Sequence, residues 1–217
     1  MGSALMFLQH YWEEGDEFLD RIVAGDETWV QFINTKTKEQ SKQWMHTHSP
    51  NKSKKFKRTL LNKKMMATVF WGRKGILLTE FMAPGTAITS EVYCETLNKL
   101  RRLIQNKQCG MLTKGIILLH DNARPRTTTH ASALLKLFNW EIFDHPTYSP
   151  DLAPSDYRLF TKMVMLATQC FHTNEELMDG VNNWLHNLAA LFFDDGQQEL
   201  VSRYNKCLNV EGNYVEK

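Results

Sequence analysis

The sequence predicts an α/β domain, a mixed β-sheet flanked by helices, and three stretches carry that expectation. MMATVFWG (65–72) and GILLTEFMA (75–83), joined through Arg73 and Lys74, read as a β-hairpin. GIILLHD (115–121), THASALLKLF (129–138) and EIFDHP (141–146) read as strand, helix and strand. That spacing makes a right-handed crossover between parallel strands. The C-terminal third carries apolar residues at helical spacing.

At 217 residues, with 42% hydrophobic residues, 12 Phe and 6 Trp, the chain suits one domain with a real core, or one domain with an insertion. The net charge of +2 is too small to indicate a partner by itself. Cysteines 94, 109, 170 and 207 form no CxxC pair and have no zinc-like His spacing, so they read as free thiols of a reducing compartment. No apolar run approaches the roughly 18–20 residues of a membrane span. Neither a signal peptide nor a myristoylation signal, which Met6 spoils, opens the chain. A soluble, intracellular protein is expected.

In order, residues 1–21 read as a lead-in to the domain, and 5–24 as one or two short helical pieces, with Phe7, Leu8, Tyr11, Trp12, Phe18 and Leu19 interrupted at Gly15-Asp16. The abrupt start suggests a fragment of a longer protein. IVAGDETWVQFINT (22–35) reads as a strand, with Gly25 where backbone or ligand approaches closely. Gly25-Asp26 reads equally well as a turn or bulge.

Residues 36–64 change character. Lys36, Lys38, Lys42, Lys52, Lys54, Lys55, Lys57, Arg58, Lys63 and Lys64 face one acid, Glu39, with Trp44, His46, His48 and Phe56 interleaved. Such a run is commonly a solvated loop. It is also what a phosphate-tracking arm needs, because each cation that neutralises a phosphate releases counterions. KSKKFKR is a weak nuclear-address pattern as well.

Residues 91–105 read as a helix capped by Thr89 or Ser90, with Arg101-Arg102 on its polar side and Gly110 ending the unit. Ser155 is expected to cap a helix reaching about residue 165. Thr173-Asn174-Glu175-Glu176 is a capping box. A last helix is expected from about Gly196, with Arg203 and Lys206 pointing outward.

Parallel strands release their C-terminal ends at one sheet edge. A helix of about ten residues descends about 15 Å, and a six-residue strand climbs back about 20 Å. The chain therefore returns to the edge of Asp121, and the proline-stiffened segment 147–155 delivers Asp156 there. Asp156 then faces the positive end of a helix dipole. If strand 22–35 lies alongside, Asp26 completes a cluster of three acids that repel one another unless cations intervene. Hard oxygen ligands suit Mg²⁺ or Mn²⁺, and two such ions suit phosphodiester chemistry. Glu27, Asp144 and Asp151 remain rivals on sequence alone. His120 is either a donor behind the site or a hydrogen-bonded core histidine.

GDETW (25–29), HDNARP (120–125) and YSPDLAPSDY (148–157), with thirty-four residues (122–155) between the last two acids, closely resemble the catalytic domains of mariner-family transposases of the Tc1/mariner group. The similarity covers nearly the whole chain. It implies an RNase H-like fold over 22–217 and a DDD triad of Asp26, Asp121 and Asp156, both catalytic and metal-ligating. By analogy it sets Glu27 and Asp151 aside. It further implies two divalent ions, hydrolysis at the ends of a transposon and attack by the freed 3′-OH on target DNA at TA. The basic segment 36–64 resembles the family's clamp loop, which implies a homodimer. Candidate DNA contacts are Lys52, Lys54, Lys55, Lys57, Arg58, Arg124 and Arg126. Nuclear location follows from such a function. The family's N-terminal helix-turn-helix domains, which read the terminal inverted repeats, lie outside this sequence, so poor or nonspecific cutting is expected of this chain alone.

Some positions depart from the family pattern. Arg126 stands where His is usual, Thr147 where Pro is common, Gly72 where an acid is usual, and the residues after Phe160 diverge. Besides a strand-transfer enzyme, the sequence therefore admits a decayed or domesticated relative that only binds DNA or a partner. An RNase H-like nuclease acting on RNA–DNA hybrids is a third reading.

Overall fold

The computed structural model describes residues 2–35, 60–83, 85–143, 145–163, 171 and 173–215. Helix α1 (Gly2–Glu14) and helix α2 (Asp16–Arg21) lead in, separated at Gly15, whose φ of 62° suits glycine. Strand β1 (Ile22–Thr35) follows, then β2 (Leu60–Gly72) and β3 (Gly75–Phe81) as the expected hairpin. Next come α3 (Ser90–Lys107), α4 (Cys109–Lys114), β4 (Ile117–Leu119), α5 (Thr129–Leu137) and β5 (Glu141–Ile142). A 3₁₀ turn (Pro150–Leu152) precedes a π-helical segment (Ser155–Phe160) that runs into α6 (Thr161–Met163). Helices α7 (Asn174–His186) and α8 (Ala190–Asn209) complete the described chain.

The sheet order is β3-β2-β1-β4-β5. Strands β1, β2 and β3 pair antiparallel, whereas β4 runs parallel to both β1 and β5, as the crossover predicts. Alternation along β1 and β2 sorts the core. Ala24, Val69 and Trp71 face α7, α8 and the 155–163 helical segment, while Val23 and Phe70 face α3 and α5. On α3, the fully buried Leu97, Leu100 and Ile104 contribute about 1.5–3 kcal/mol each. A third cluster packs α1 and α2 on the end of the sheet through Phe7, Leu19, Ile22, Ile117 and Tyr204.

Several elements differ from expectation. Strands β4 and β5 pair over three and two residues only. Gly110 lies inside α4, and α3 ends at Gln108. Thr89 is the cap of α3, accepting from the Val92 N–H, and Thr173 caps α7 through the Glu176 N–H. Ser155 caps nothing; its Oγ accepts from the Trp71 Nε1–H at 3.2 Å. Helix α8 begins six residues before Gly196, which packs against Trp71. Arg203 does not point outward: it stacks over Tyr157 at 3.8 Å and donates to the Asp151 carbonyl. Cys94 and Cys207 are free and buried. No described helix is long and apolar enough to cross a membrane. Of the basic segment, residues 60–64 belong to β2; residues 36–59, with Lys52, Lys54, Lys55, Lys57 and Arg58, lie outside the described residues.

Candidate active site

Three acids arrive at one sheet edge by three local routes. Strands β1 and β4 pair in parallel with Ala24 opposite Leu119, so Asp26 and Asp121, each two residues further on, leave at the same level. Gly25 precedes the first acid and pairs with Phe70 across the strands; a Cβ there would stand 2.2 Å from the Phe70 ring. Glycine is needed because a ring crosses the backbone. The third acid, Asp156, enters on the first turn of the π-helical segment, behind the 3₁₀ turn at Pro150 and after Pro154. The Trp71–Ser155 hydrogen bond ties that turn to β2. π-Helical turns are frequent at functional sites because they re-aim side chains within a helix.

Asp26, Asp121 and Asp156 line one cavity of about 330 Å³, which His145, Tyr148 and Ser149 also line. Tyr148 is fully exposed at the rim and holds a left-handed backbone, φ 56°. All three carboxyls titrate above their ordinary range. Burial raises Asp26 most, against the pull of Arg126. Burial and then the charge of Asp26 raise Asp121, although the Ala123 N–H bonded to its Oδ1 works the other way. Asp156 is pushed up to about 6, by burial first and then by the charges of Asp26 and Asp121. Burial is the first cause at all three, and at Asp121 and Asp156 repulsion from neighbouring acids adds to it, as expected of a site short of positive charge.

Part of that charge is supplied from within. Arg126 is 4% exposed. Its Nη1 donates to Asp121 Oδ1 at 2.5 Å, its Nη2 donates to Asp26 Oδ1 at 2.9 Å, and Nη2 also pairs with Glu27. In this arrangement the guanidinium is not open to a phosphate. Arg124, by contrast, is exposed and follows the cavity-lining Ala123 in the chain. Among the described residues no three His, Cys, Asp or Glu side chains stand as a preassembled metal cage. The donor chemistry nonetheless fits a hard divalent ion, since the three acids offer only carboxylate oxygens.

Of the rivals, Asp151 and Glu27 do not line the cavity. Asp151 is buried and accepts the Val215 N–H on Oδ2, anchoring the C-terminal segment. Glu27 is absent from the cavity wall and is engaged by Arg126. Asp144 falls outside the described residues. His120 is the core histidine of the two readings: its Nδ1 meets the Tyr93 hydroxyl at 2.7 Å, and burial lowers its pKa to about 4. Sequence reasoning missed His145, a cavity-wall residue whose buried Nδ1 has no hydrogen-bond partner among the described residues. Burial lowers its pKa, against the opposing pull of the Ser149 backbone, Asp121 and Asp26. No spacing singles it out, because it follows a strand of only two paired residues.

A family model described as Transposase (partial DDE domain) matches residues 34–114. The chain is 32% identical over its full length to the Homo sapiens histone-lysine N-methyltransferase SETMAR, covering 31% of that protein. It is 34% identical to the Mariner Mos1 transposase of Drosophila mauritiana over 92% of this chain and 57% of that protein. The chain thus spans less than two thirds of either relative. A solved structure of the Mos1 transposase catalytic domain with raltegravir and Mg superposes with a TM-score of 0.82 at 31% identity, covering 99% of this chain and 94% of that one. Identity at that level over nearly the whole of both chains places this chain among the mariner-family transposases as their catalytic domain.

Proposed function

We propose that this chain cleaves DNA strands at transposon ends and transfers the freed 3′-OH to target DNA at TA, with divalent ions held by Asp26, Asp121 and Asp156. The observation that carries the reading is the single cavity into which these three carboxylates converge. Its support from relatives is specific: similar Mos1 structures are described with Mg, with Mn, in paired-end complexes and as a strand transfer complex. When bound, such ions would activate the attacking oxygen and stabilise the leaving oxygen of the phosphodiester.

The chain's own residues set the geometry. The rigid β1–β4 register fixes the spacing of Asp26 and Asp121, and the Trp71–Ser155 bond fixes the turn that carries Asp156. Arg124, exposed and three residues after Asp121 in the chain, would hold a phosphate of the substrate. Lys52, Lys54, Lys55, Lys57 and Arg58 supply the charge that tracks a DNA backbone and, in a homodimer, bridges the two transposon ends. Nuclear action follows from that substrate.

The test is strand transfer of a pre-cleaved transposon end into plasmid DNA with Mg²⁺ or Mn²⁺. Asp26→Asn, Asp121→Asn and Asp156→Asn are each expected to lower the rate by roughly 10³-fold or more. Full activity in Asp156→Asn would remove that residue from the triad. A second reading, a relative that binds DNA without turnover, draws on one observation: Arg126 already pairs with two of the three acids. Uptake of Mn²⁺ by the chain separates the two, since a pure binding protein needs none.

A further inference from the structure

Beyond that reading, and resting on it, Arg126 carries a more particular role. We propose that Arg126 is a resident cation of the site, holding the Asp26–Asp121 side of the acid cluster in place of one divalent ion, so that a second ion enters only by displacing the guanidinium.

Four observations converge on it. The fork of the guanidinium spans two cavity carboxylates, one nitrogen on Asp121 and the other on Asp26 and Glu27. The side chain is held rather than adventitious. It is 3% exposed, its guanidinium carbon lies 6.0 Å from the centre of the Tyr93 ring, and its backbone N–H donates to the Ala123 carbonyl at 2.9 Å. Among the described residues, hydrogen bonds to Asp26 and Asp121 all fall on their Oδ1 atoms, which leaves the Oδ2 atoms for another cation. Among the described residues Asp156 makes no direct ion pair with Arg126 and feels its charge only at longer range, so most of the unmet negative charge lies on the Asp156 side.

Charge balance points the same way. Asp26, Glu27, Asp121 and Asp156 against one guanidinium leave three negative charges. One divalent ion reduces that to one, and a second overshoots neutrality while Arg126 stays. Because a guanidinium cannot lose its proton, it can yield only by moving out. That movement exposes buried donors and breaks three charge-assisted hydrogen bonds, so it weakens uptake of the second ion.

The experiment is calorimetric titration of MnCl₂ into the purified chain and into Arg126→Gln, with no DNA present. The unsubstituted chain is expected to take one Mn²⁺. Arg126→Gln is expected to take two, the first about tenfold or more tighter, the ratio that loss of one close charge coupling produces. A second measurement uses the unsubstituted chain alone, following arginine side-chain N–H signals by NMR during a Mg²⁺ titration. The Arg126 signals should persist through the first equivalent and change only in excess Mg²⁺. Two ions bound equally well by both proteins, or loss of the Arg126 signals at the first equivalent, would overturn the proposal and leave the metal-site reading standing. Absence of Mn²⁺ uptake by both proteins would overturn the metal-site reading, and this proposal with it. If Arg126→Gln does not fold, the NMR titration decides.

Discussion

Arg73, in the turn between β2 and β3, and Arg126, in the turn before α5, each gather three acidic side chains, yet burial separates them. Arg73 joins Asp16 and Asp20 of α2 to Asp194 of α8, and those acids are 34–62% exposed. Its own burial would lower its pKa, but the hydrogen bonds it donates to Asp194 and Asp16, with their charges, outweigh that and raise it. For Arg126, burial is the largest influence and lowers the pKa despite Asp26. Arg73 is thus a clasp between surface elements whose charges remain hydrated. Arg126 is a cation taken out of water, which stays there because removing it would leave several carboxylates facing one another. One cluster stores little energy and the other stores repulsion.

Replacing each arginine by alanine breaks the comparison most sharply. Without divalent ions, Arg126→Ala is expected to cost about 2–3 kcal/mol in urea unfolding, the low end for a buried pair because Asp121 is half exposed. Mg²⁺ in excess should restore most of that loss, since ions then occupy the place of the guanidinium. Arg73→Ala is expected to cost about 1 kcal/mol, and Mg²⁺ should restore none of it. Equal losses, or rescue of Arg73→Ala by Mg²⁺, would mean that the two clusters do not differ in kind.

Legibility in the sequence follows the same division. The hairpin, the α3 cap and the crossover were readable because each depends on neighbours in the chain: Thr89 three residues before Val92, apolar runs bounded by turns, and a helix between two strands. The edge shared by Asp26 and Asp121 was readable only as a consequence of topology. Strand ends were not readable. GIILLHD is apolar almost throughout, yet only Ile117–Leu119 pairs, since β5 offers a partner over two residues. The start of α8 was hidden because Ala189 caps it with no side-chain hydrogen bond. Arg126 stood out beside Asp121, five residues away, but its bonds to Asp26 and Glu27 span 100 and 99 residues, separations no local pattern encodes. The same holds for Trp71 and Ser155, eighty-four residues apart.

Removing Asp156, the cavity acid that neighbours the Arg126 cluster, or Asp194, a member of the Arg73 cluster, gives the smaller effects, and they should differ in sign. The unfolded Asp156 carboxyl titrates near 3.8 and the folded one near about 6. The folded chain therefore binds that proton more tightly, and stability falls as pH rises from the lower value through the upper one. Asp156→Asn removes the fall, so the metal-free protein near pH ~7.5 is expected to gain about 1 kcal/mol, after allowance for solvent screening. Asp194→Asn instead takes an acceptor from Arg73 and is expected to lose about 0.5–1 kcal/mol. At ~2–4 °C per kcal/mol for a domain of this size, both shifts are readable in a thermal melt. Salt sharpens the contrast, because at ~1 M the Debye length is only about 3 Å. The Asp194→Asn loss should shrink there, since its pair is exposed, while the Asp156→Asn gain persists because burial is the larger cause of its shift. A stabilising Asp→Asn change at one arginine cluster and a destabilising one at the other would show that only the first is short of positive charge.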